Sequence, residues 1–371
     1  MNFGFSAEQE ELRAMVRRFL EEKSPEGEVR RLMATTEGYD PAVWSQMAHE
    51  LALQGLAIPE EFGGQGFGPV ELYVVFEEMG AALYCGPYFS TVALAANALV
   101  NAGDESAQRT FLPGIADGTT IATVALTDDS GTWDLAATST TAVRRGDAWT
   151  LSGVRSFVTD GAVANLILVP ATTEAGLSLF AVAGDAPGLE RETLATMDQT
   201  RKQSRLTLLD VPATLVGEEG GATAGLEATV QMAAAMLAAE QVGGAQRVLD
   251  RAVEYAKSRV QFGRPIGSFQ AIKHKCADML LDVESAKSAA YYAAWAAQER
   301  NDELPIAASL AKSFCSEAYF HCAAENIQIH GGIGFTWEHH AHLYFKRAKS
   351  SELLLGDPAY HRELLAQRLG I

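Results

Sequence analysis

The sequence predicts an α+β fold in three regions: an N-terminal α-helical domain over 1–119, a middle antiparallel β-barrel or sandwich over 120–217, and a C-terminal four-helix bundle over 218–371. Three observations predict it. Apolar residues recur at helical spacing as far as about Gly118, in short strand-like runs from Thr120, and at helical spacing again beyond Gly225. Gly, Asp and Pro punctuate the middle stretch, as hairpin connections require. The chain has 371 residues, enough to bury more than one core.

The first helix opens on Ser6 with Gln9 three residues on, a capping box, and Leu12, Met15, Val16, Phe19 and Leu20 then follow the stripe of one helix face. Trp44 to Leu53 reads as a short helix and Val70 to Leu83 as a longer apolar one. Between them lies Pro59-Glu-Glu-Phe-Gly-Gly-Gln-Gly-Phe-Gly68, which looks like a phosphate cradle. It fits no GxGxxG register and no GK[ST] follows, so it reads as a chain turn. Strand-like runs cover Ile121–Leu126, Ala142–Arg144, Trp149–Leu151, Val154–Val158, Leu166–Val169, Leu177–Val182 and Arg205–Leu209, with an Arg145-Gly146-Asp147 turn among them. Long helices are expected at Val230–Arg259, Phe269–Arg300, Pro305–Ile329 and Trp337–Leu355, and a short one from Tyr360. Their short connections imply antiparallel neighbours.

With 48% hydrophobic and 20% charged residues, the composition is that of a globular chain. The formal charge of −18 argues against nucleic acid or an anionic membrane as partner. Cys85, Cys276, Cys315 and Cys322 form no CxxC pair, and Cys315 and Cys322 stand two helical turns apart, too far for a disulfide. Free thiols in a reducing compartment are the expectation. No signal-peptide pattern and no membrane-length apolar run is found, so a cytoplasmic location is expected.

Two stretches carry the chemistry: Arg-Val-Gln-Phe-Gly-Arg-Pro-Ile-Gly-Ser-Phe-Gln (Arg259 to Gln270) and Ile-Gln-Ile-His-Gly-Gly-Ile-Gly-Phe (Ile327 to Phe335). Each sets a Gly- or Pro-rich turn beside hydrogen-bonding residues, and such a turn presents backbone N–H groups to phosphate oxygens. Either stretch alone could also be helix punctuation. Their pairing and spacing resemble the acyl-CoA dehydrogenase family of flavoproteins, and the resemblance covers nearly the whole chain, including the Pro59-Glu-Glu-Phe-Gly-Gly segment.

What the resemblance implies is specific. FAD would be the cofactor, held across a subunit boundary. Arg259, Phe262 and Gln270 would lie at its pyrophosphate and adenine, and Gln328, Gly331 and Gly332 would reach the same FAD from a neighbouring subunit. Ser-Phe-Val-Thr-Asp-Gly (Ser156 to Gly161) resembles the segment against the flavin ring, with Phe157 in place of a usual Trp, Val158 beside it and Thr159 near N5. Thr127 resembles the threonine that reaches the ring's pyrimidine edge and the substrate thioester, although Thr-Asp-Asp-Ser-Gly departs from the family's loop. Acyl-CoA would be the substrate and an electron-transfer flavoprotein the electron acceptor.

The reaction of that family needs a carboxylate within reach of the substrate α-proton. Counting from Gly331-Gly332, the commoner position of this glutamate falls on Leu355. Counting from Val242-Gly243, the other falls on Ala233, with the arginine that usually follows replaced by Ala234. Neither side chain can take a proton. Glu240, two helical turns past Ala233 and about 10 Å further along, is the weak remaining candidate for a base. A carboxylate in so apolar a stretch must be paired or functional. Asp357 reads as a cap or loop residue. His339, His340 and His342 near Glu338 do not put three imidazoles on one helical face, so no metal site is expected. Three readings follow: a dehydrogenase using an unusual base, a base-lacking subunit paired with a related base-bearing chain, or a flavin-free binding or scaffold protein on the same fold. In the first the chain would be a homo-oligomer and in the second a heteromer.

Overall fold

The computed structural model describes residues 4–146, 148–299 and 301–371. Asp147 of the expected turn and Arg300 of the expected helix end lie outside the described residues. The chain forms two compact units, one of residues up to Arg30, Pro69–Tyr84 and Ala234–Ile371, the other of Arg31–Gly68 and Cys85–Ala233. It has an N-terminal helical region, a β-rich middle and a C-terminal helical region.

In the first unit, α1 (Ala7–Lys23) starts on the capping box, with the Gln9 N–H donating to Ser6 Oγ at 3.2 Å and the Ser6 N–H to Gln9 Oε1 at 2.9 Å. Val16 and Leu20 are buried, whereas Met15 of the expected stripe stays 37% exposed. The helix α2 (Glu26–Met33) crosses the boundary at Arg30 and α3 (Pro41–His49) belongs to the second unit, whereas α4 (Pro69–Ala81), again in the first, is apolar and buried on most sides, as a core helix must be. Expected as ending at Leu53, α3 stops at His49.

Further along are α5 (Asn97–Asn101), α6 (Glu105–Ala116) and the long α7 (Ala222–Ser258), which begins eight residues before the expected start because Gly225 is tolerated inside it. Behind α7 come α8 (Gln270–Gln298), α9 (Leu304–His330), α10 (Ala341–Leu353) and α11 (Pro358–Leu369), with α9 packed against α8, α10 and α11. Two glycines let α4 and α7 touch backbone to backbone. A Cβ on Gly80 would lie 1.9 Å from the Glu240 carbonyl oxygen, and one on Gly243 would lie 1.8 Å from that of Glu77.

In the second unit a π-helix (Phe89–Ala96) is fully buried and packs on the first strand. The strands are β1 (Ala122–Val124), β2 (Thr141–Arg145), β3 (Ala148–Thr159), β4 (Leu166–Thr173), β5 (Gly176–Ala183), β6 (Leu189–Thr193) and β7 (Gln203–Val216). Two expected runs, Trp149–Leu151 and Val154–Val158, are one strand whose interruption is only a register shift between Leu151 and Gly153. The edge strand β6 was invisible to periodicity, because Leu189-Glu-Arg-Glu-Thr193 holds a single apolar residue and stays largely exposed. Pairings run β4–β2–β3–β7–β5 and back to β4, so the sheet closes as a barrel. The expectation of a purely antiparallel sheet is corrected, since β1 and β2 run parallel to β4. The Pro59–Gly68 loop turns through a 3-10 segment, and Gly64 is pressed so close to Ile58 that a Cβ would sit 1.9 Å from its carbonyl oxygen.

All four cysteines are free, with Cys85, Cys315 and Cys322 buried. No helix among the described residues is long and apolar enough to cross a membrane.

The helix contact has a measurable consequence. Gly243→Ala forces α4 and α7 apart and is expected to cost about 1–3 kcal/mol or more, seen as a lower urea midpoint. Gly27→Ala, in α2 with nothing within 4 Å of its added Cβ, should be neutral or stabilising by up to about 1 kcal/mol. Equal midpoints for the two variants would refute the close approach.

Candidate functional site

The first motif becomes a hairpin. α7 ends at Ser258, and the short strands β8 (Val260–Gln261) and β9 (Arg264–Pro265) pair around a two-residue tip, Phe262 and Gly263. Both tip residues have left-handed backbone, φ 54° and 77°, which is what a tight type I′ hairpin turn demands. The tip throws the Phe262 ring into solvent, 92% exposed. Arg259 leaves α7 immediately before the hairpin and makes no ion pair among the described residues. Gln270 is exposed at the first position of α8.

In the second motif Gln328 is exposed in the last turn of α9, and the Gly331 N–H closes that helix on the Ile327 and Gln328 carbonyls. Gly331–Phe335 then forms a 3-10 turn, with Phe335 83% exposed. A Cβ at Gly263, Gly331 or Gly332 would meet nothing within 4 Å, unlike Gly80 and Gly243. Gly332 also lacks a positive φ, so neither packing nor backbone geometry within the chain calls for glycine there.

In the barrel unit, Phe157 stands on a bulge. Arg155 pairs with Leu206 and Val158 with Ser204, leaving two β3 residues opposite Arg205 alone. A bulge of this kind re-aims a side chain. Phe157 takes φ 57° and is 44% exposed, while Val158 and Thr159 on either side of the same strand are buried. The Thr159 carbonyl accepts from Thr123 Oγ1 at 2.7 Å. Thr127 is bridged to the bulge, its hydroxyl donating to the Ser156 carbonyl at 2.7 Å and its own carbonyl accepting from the Ser156 N–H at 3.0 Å. Ser156 also bonds Asp129, whose carboxylate is held by Arg205 at 2.6 and 3.0 Å. The Asp-Asp departure in this loop is therefore accounted for by the bulge it ties down. Buried Arg155, which sequence reasoning missed, donates to the Pro170 carbonyl and Thr138 and pins the same loop. Burial lowers its guanidinium pKa to about 10.

The carboxylate candidates are committed elsewhere. Glu240 is 5% exposed and Arg347 3%, and Arg347 Nη1 donates to Glu240 Oε1 at 3.0 Å. Asp357 caps α11, accepting from the Tyr360 N–H at 2.8 Å. Ala233, Ala234 and Leu355 are all buried. Leu355 nevertheless occupies a built turn: its φ is 62° and its carbonyl lies 2.9 Å from His361 Nε2. Lys312, fully buried, donates to the Glu352 carbonyl at 3.0 Å, the Gly356 carbonyl at 2.9 Å and Ser316 Oγ at 3.0 Å. Burial pushes its amine down to about 7 and the His361 imidazole down to about 4. Arg347 and Lys312 escaped the sequence reading, although a lysine within Leu304–Ser316 was as conspicuous among small and apolar residues as Glu240 is. His339 and His340 stack at 4.2 Å, and no group of three or more His, Cys, Asp or Glu among the described residues could hold a metal ion.

Three family models match the chain: acyl-CoA dehydrogenase N-terminal domain over 6–119, middle domain over 123–211 and C-terminal domain over 219–370. The acyl-CoA dehydrogenase IpdE2 of Mycobacterium tuberculosis is 36% identical over 358 residues, 96% of this chain and 95% of its own length. Among solved structures, a variant of the Tcur3481-Tcur3483 steroid ACAD superposes with a TM-score of 0.90 at 34% identity, covering 98% of each chain. The ChsE4-ChsE5 complex of M. tuberculosis gives 0.91 at 30% identity, covering 100% of this chain and 99% of that one.

Two outcomes are expected. Arg347→Met strands a buried carboxylate and should destabilise the fold by about 3–5 kcal/mol, with Glu240→Gln in the same chain recovering part of the loss. Additive losses in a double-mutant cycle would refute the pair. For Lys312, the folded value of about 7 lies below the ordinary 10.5, so between these pH values the unfolded chain binds more protons. Stability should therefore rise with pH across that window and fall toward its lower end. A urea-unfolding pH series should show this rise in the parent chain and not in Lys312→Met.

Proposed function

The chain belongs to the acyl-CoA dehydrogenase family, and we propose that within it this is a flavin-holding subunit without a base of its own, completed by a related chain that supplies the carboxylate. The family makes it an oxidoreductase acting on acyl-CoA, with FAD as cofactor. One observation carries the finer reading. Both positions where the resemblance puts a base hold buried hydrocarbon, Leu355 and Ala233, while the two candidate carboxylates, Glu240 and Asp357, bond Arg347 and cap the start of α11. Two solved relatives are themselves named as pairs of proteins, which supports a heteromer.

The residues fit FAD. Arg259 offers an always-charged fork of donors suited to phosphate oxygens, beside the exposed Phe262 ring for a flat base. Gln270 adds a second donor. Gln328, Gly331 and Gly332 present an amide and an unobstructed backbone for cofactor held by a neighbouring subunit. The bulge presents the exposed Phe157 ring toward a flavin, with Val158 and Thr159 packed behind it, and the Thr127 hydroxyl, having donated to Ser156, keeps lone pairs for a ligand N–H. When bound, FAD supplies the acceptor for the hydride leaving the acyl β-carbon. In this reading the chain's residues bind and orient, and the carboxylate that takes the α-proton comes from the related chain. An electron-transfer flavoprotein is the proposed electron acceptor.

Anaerobic mixing of the purified chain with a panel of acyl-CoAs, steroid-bearing thioesters included, tests this by flavin absorbance. The expected result is a yellow protein whose flavin the lone chain leaves oxidised, with colour lost in Arg259→Ala. Bleaching by any acyl-CoA would overturn the base-lacking reading. A colourless parent chain, or full flavin retention in Arg259→Ala, would overturn the cofactor assignment.

A further inference from the structure

Within the helical unit, α1, α2, α4, α7 and α10 enclose a cavity of about 300 Å³ that none of the family's chemistry uses. Its α7 wall presents Arg247 and Arg251, one helical turn apart. Neither forms an ion pair among the described residues. Like charges at this spacing on a helix repel. Arg251 is also largely withdrawn from water, and burial lowers its guanidinium pKa, with the charge of Arg247 acting in the same direction. Arg251 lies over the face of Tyr344, 5.3 Å from the ring centroid, the Tyr344 side chain is also bonded by Arg247, and Glu26 and Glu254 attract Arg251 without forming an ion pair with it. Beside it His340 Nε2 is buried without a hydrogen-bond partner. Glu26 and Glu254 offset the burial of this cation only in part, and two guanidinium groups facing one cavity without an ion pair mark a site that an anionic ligand can complete.

The acidic groups of the wall do not complete it. Glu78 is taken by Arg17 at 2.7 and 2.9 Å and by Arg13 at 3.3 Å. Glu26 is taken by Arg30 at 2.9 Å, with His340 Nδ1 at 3.7 Å, and Glu21 is exposed. Leu20, Val29, Leu83 and Leu343 supply the apolar part of the lining.

We propose that this cavity binds a small organic monoanion, a carboxylate on a short apolar body, with the carboxylate held by Arg247 and Arg251. The planar, five-donor guanidinium suits a carboxylate. Glu21, Glu26 and Glu78 oppose a second negative charge, so a phosphate dianion is disfavoured. The volume is at the lower end of small-molecule sites, about 300–1,000 Å³, which restricts the body to a few carbons.

Calorimetric titration of the full-length chain at constant ionic strength tests the site with hexanoate, inorganic phosphate and hexanol as probes. Saturable hexanoate binding is expected, with phosphate and hexanol at least tenfold weaker. Arg251→Gln and Arg247→Gln should each weaken hexanoate at least tenfold. Arg247 is exposed, so its variant decides the matter should Arg251→Gln fail to fold. Absence of saturable hexanoate binding, or an affinity unchanged in the variants, would overturn the site. Phosphate binding as tight as hexanoate would overturn the ligand class.

Discussion

The helical unit depends on one crossing. At Gly80 and Gly243 the backbones of α4 and α7 meet without any side chain between them, and just there α7 presents Glu240 to Arg347 of α10. Two glycines remove the spacer that usually separates helices by 8–10 Å. The short separation seals a carboxylate and a guanidinium away from water, where their mutual attraction offsets the cost of burial and Arg347 also donates to the Tyr84 carbonyl at 3.3 Å. The pair therefore fixes the relation of three helices more sharply than apolar packing alone would, since sliding any one of them would leave a buried charge unmatched. The same seal leaves Glu240 5% exposed and bonded to Arg347.

Residue 355 shows the opposite combination: elaborate support around an inert side chain. Lys312 and His361 meet the carbonyls of Glu352, Leu355 and Gly356 from two different helices, and the backbone at Leu355 is held in a left-handed conformation that a branched side chain does not favour. The turn is built with the care of a working site while its apex is leucine. The support at this turn therefore comes from the backbone and its two buried partners and not from the side chain at its apex.

The exposed features at Phe157, Phe262 and Gly331-Gly332 have a common physical character. Phe262 and Phe157 are aromatic residues with positive φ, turned outward by a hairpin tip and by a bulge. Gly331 and Gly332 keep backbone bare where nothing in the chain presses on it. Strain and exposed apolar surface both cost stability in an isolated chain, and both are what a ligand or neighbouring subunit covers.

The sequence by itself determined the order helix, strand, helix, the capping of α1 and the turns at Phe262-Gly263 and Gly331. Each of these is written in local periodicity, caps and turn residues, which depend only on near neighbours. It also showed that Leu355 and Ala233 cannot act as bases, because residue type settles that. Only the tertiary structure decided that the sheet closes as a barrel with two parallel pairings, that β6 is a strand, and that Glu240 belongs to Arg347. Lys312 bonded to the carbonyls around the Leu355 turn and the two guanidinium groups of Arg247 and Arg251 on one cavity emerged there too. Charge compensation is made between residues as much as 107 positions apart, and no periodicity records which of two distant side chains will share a core.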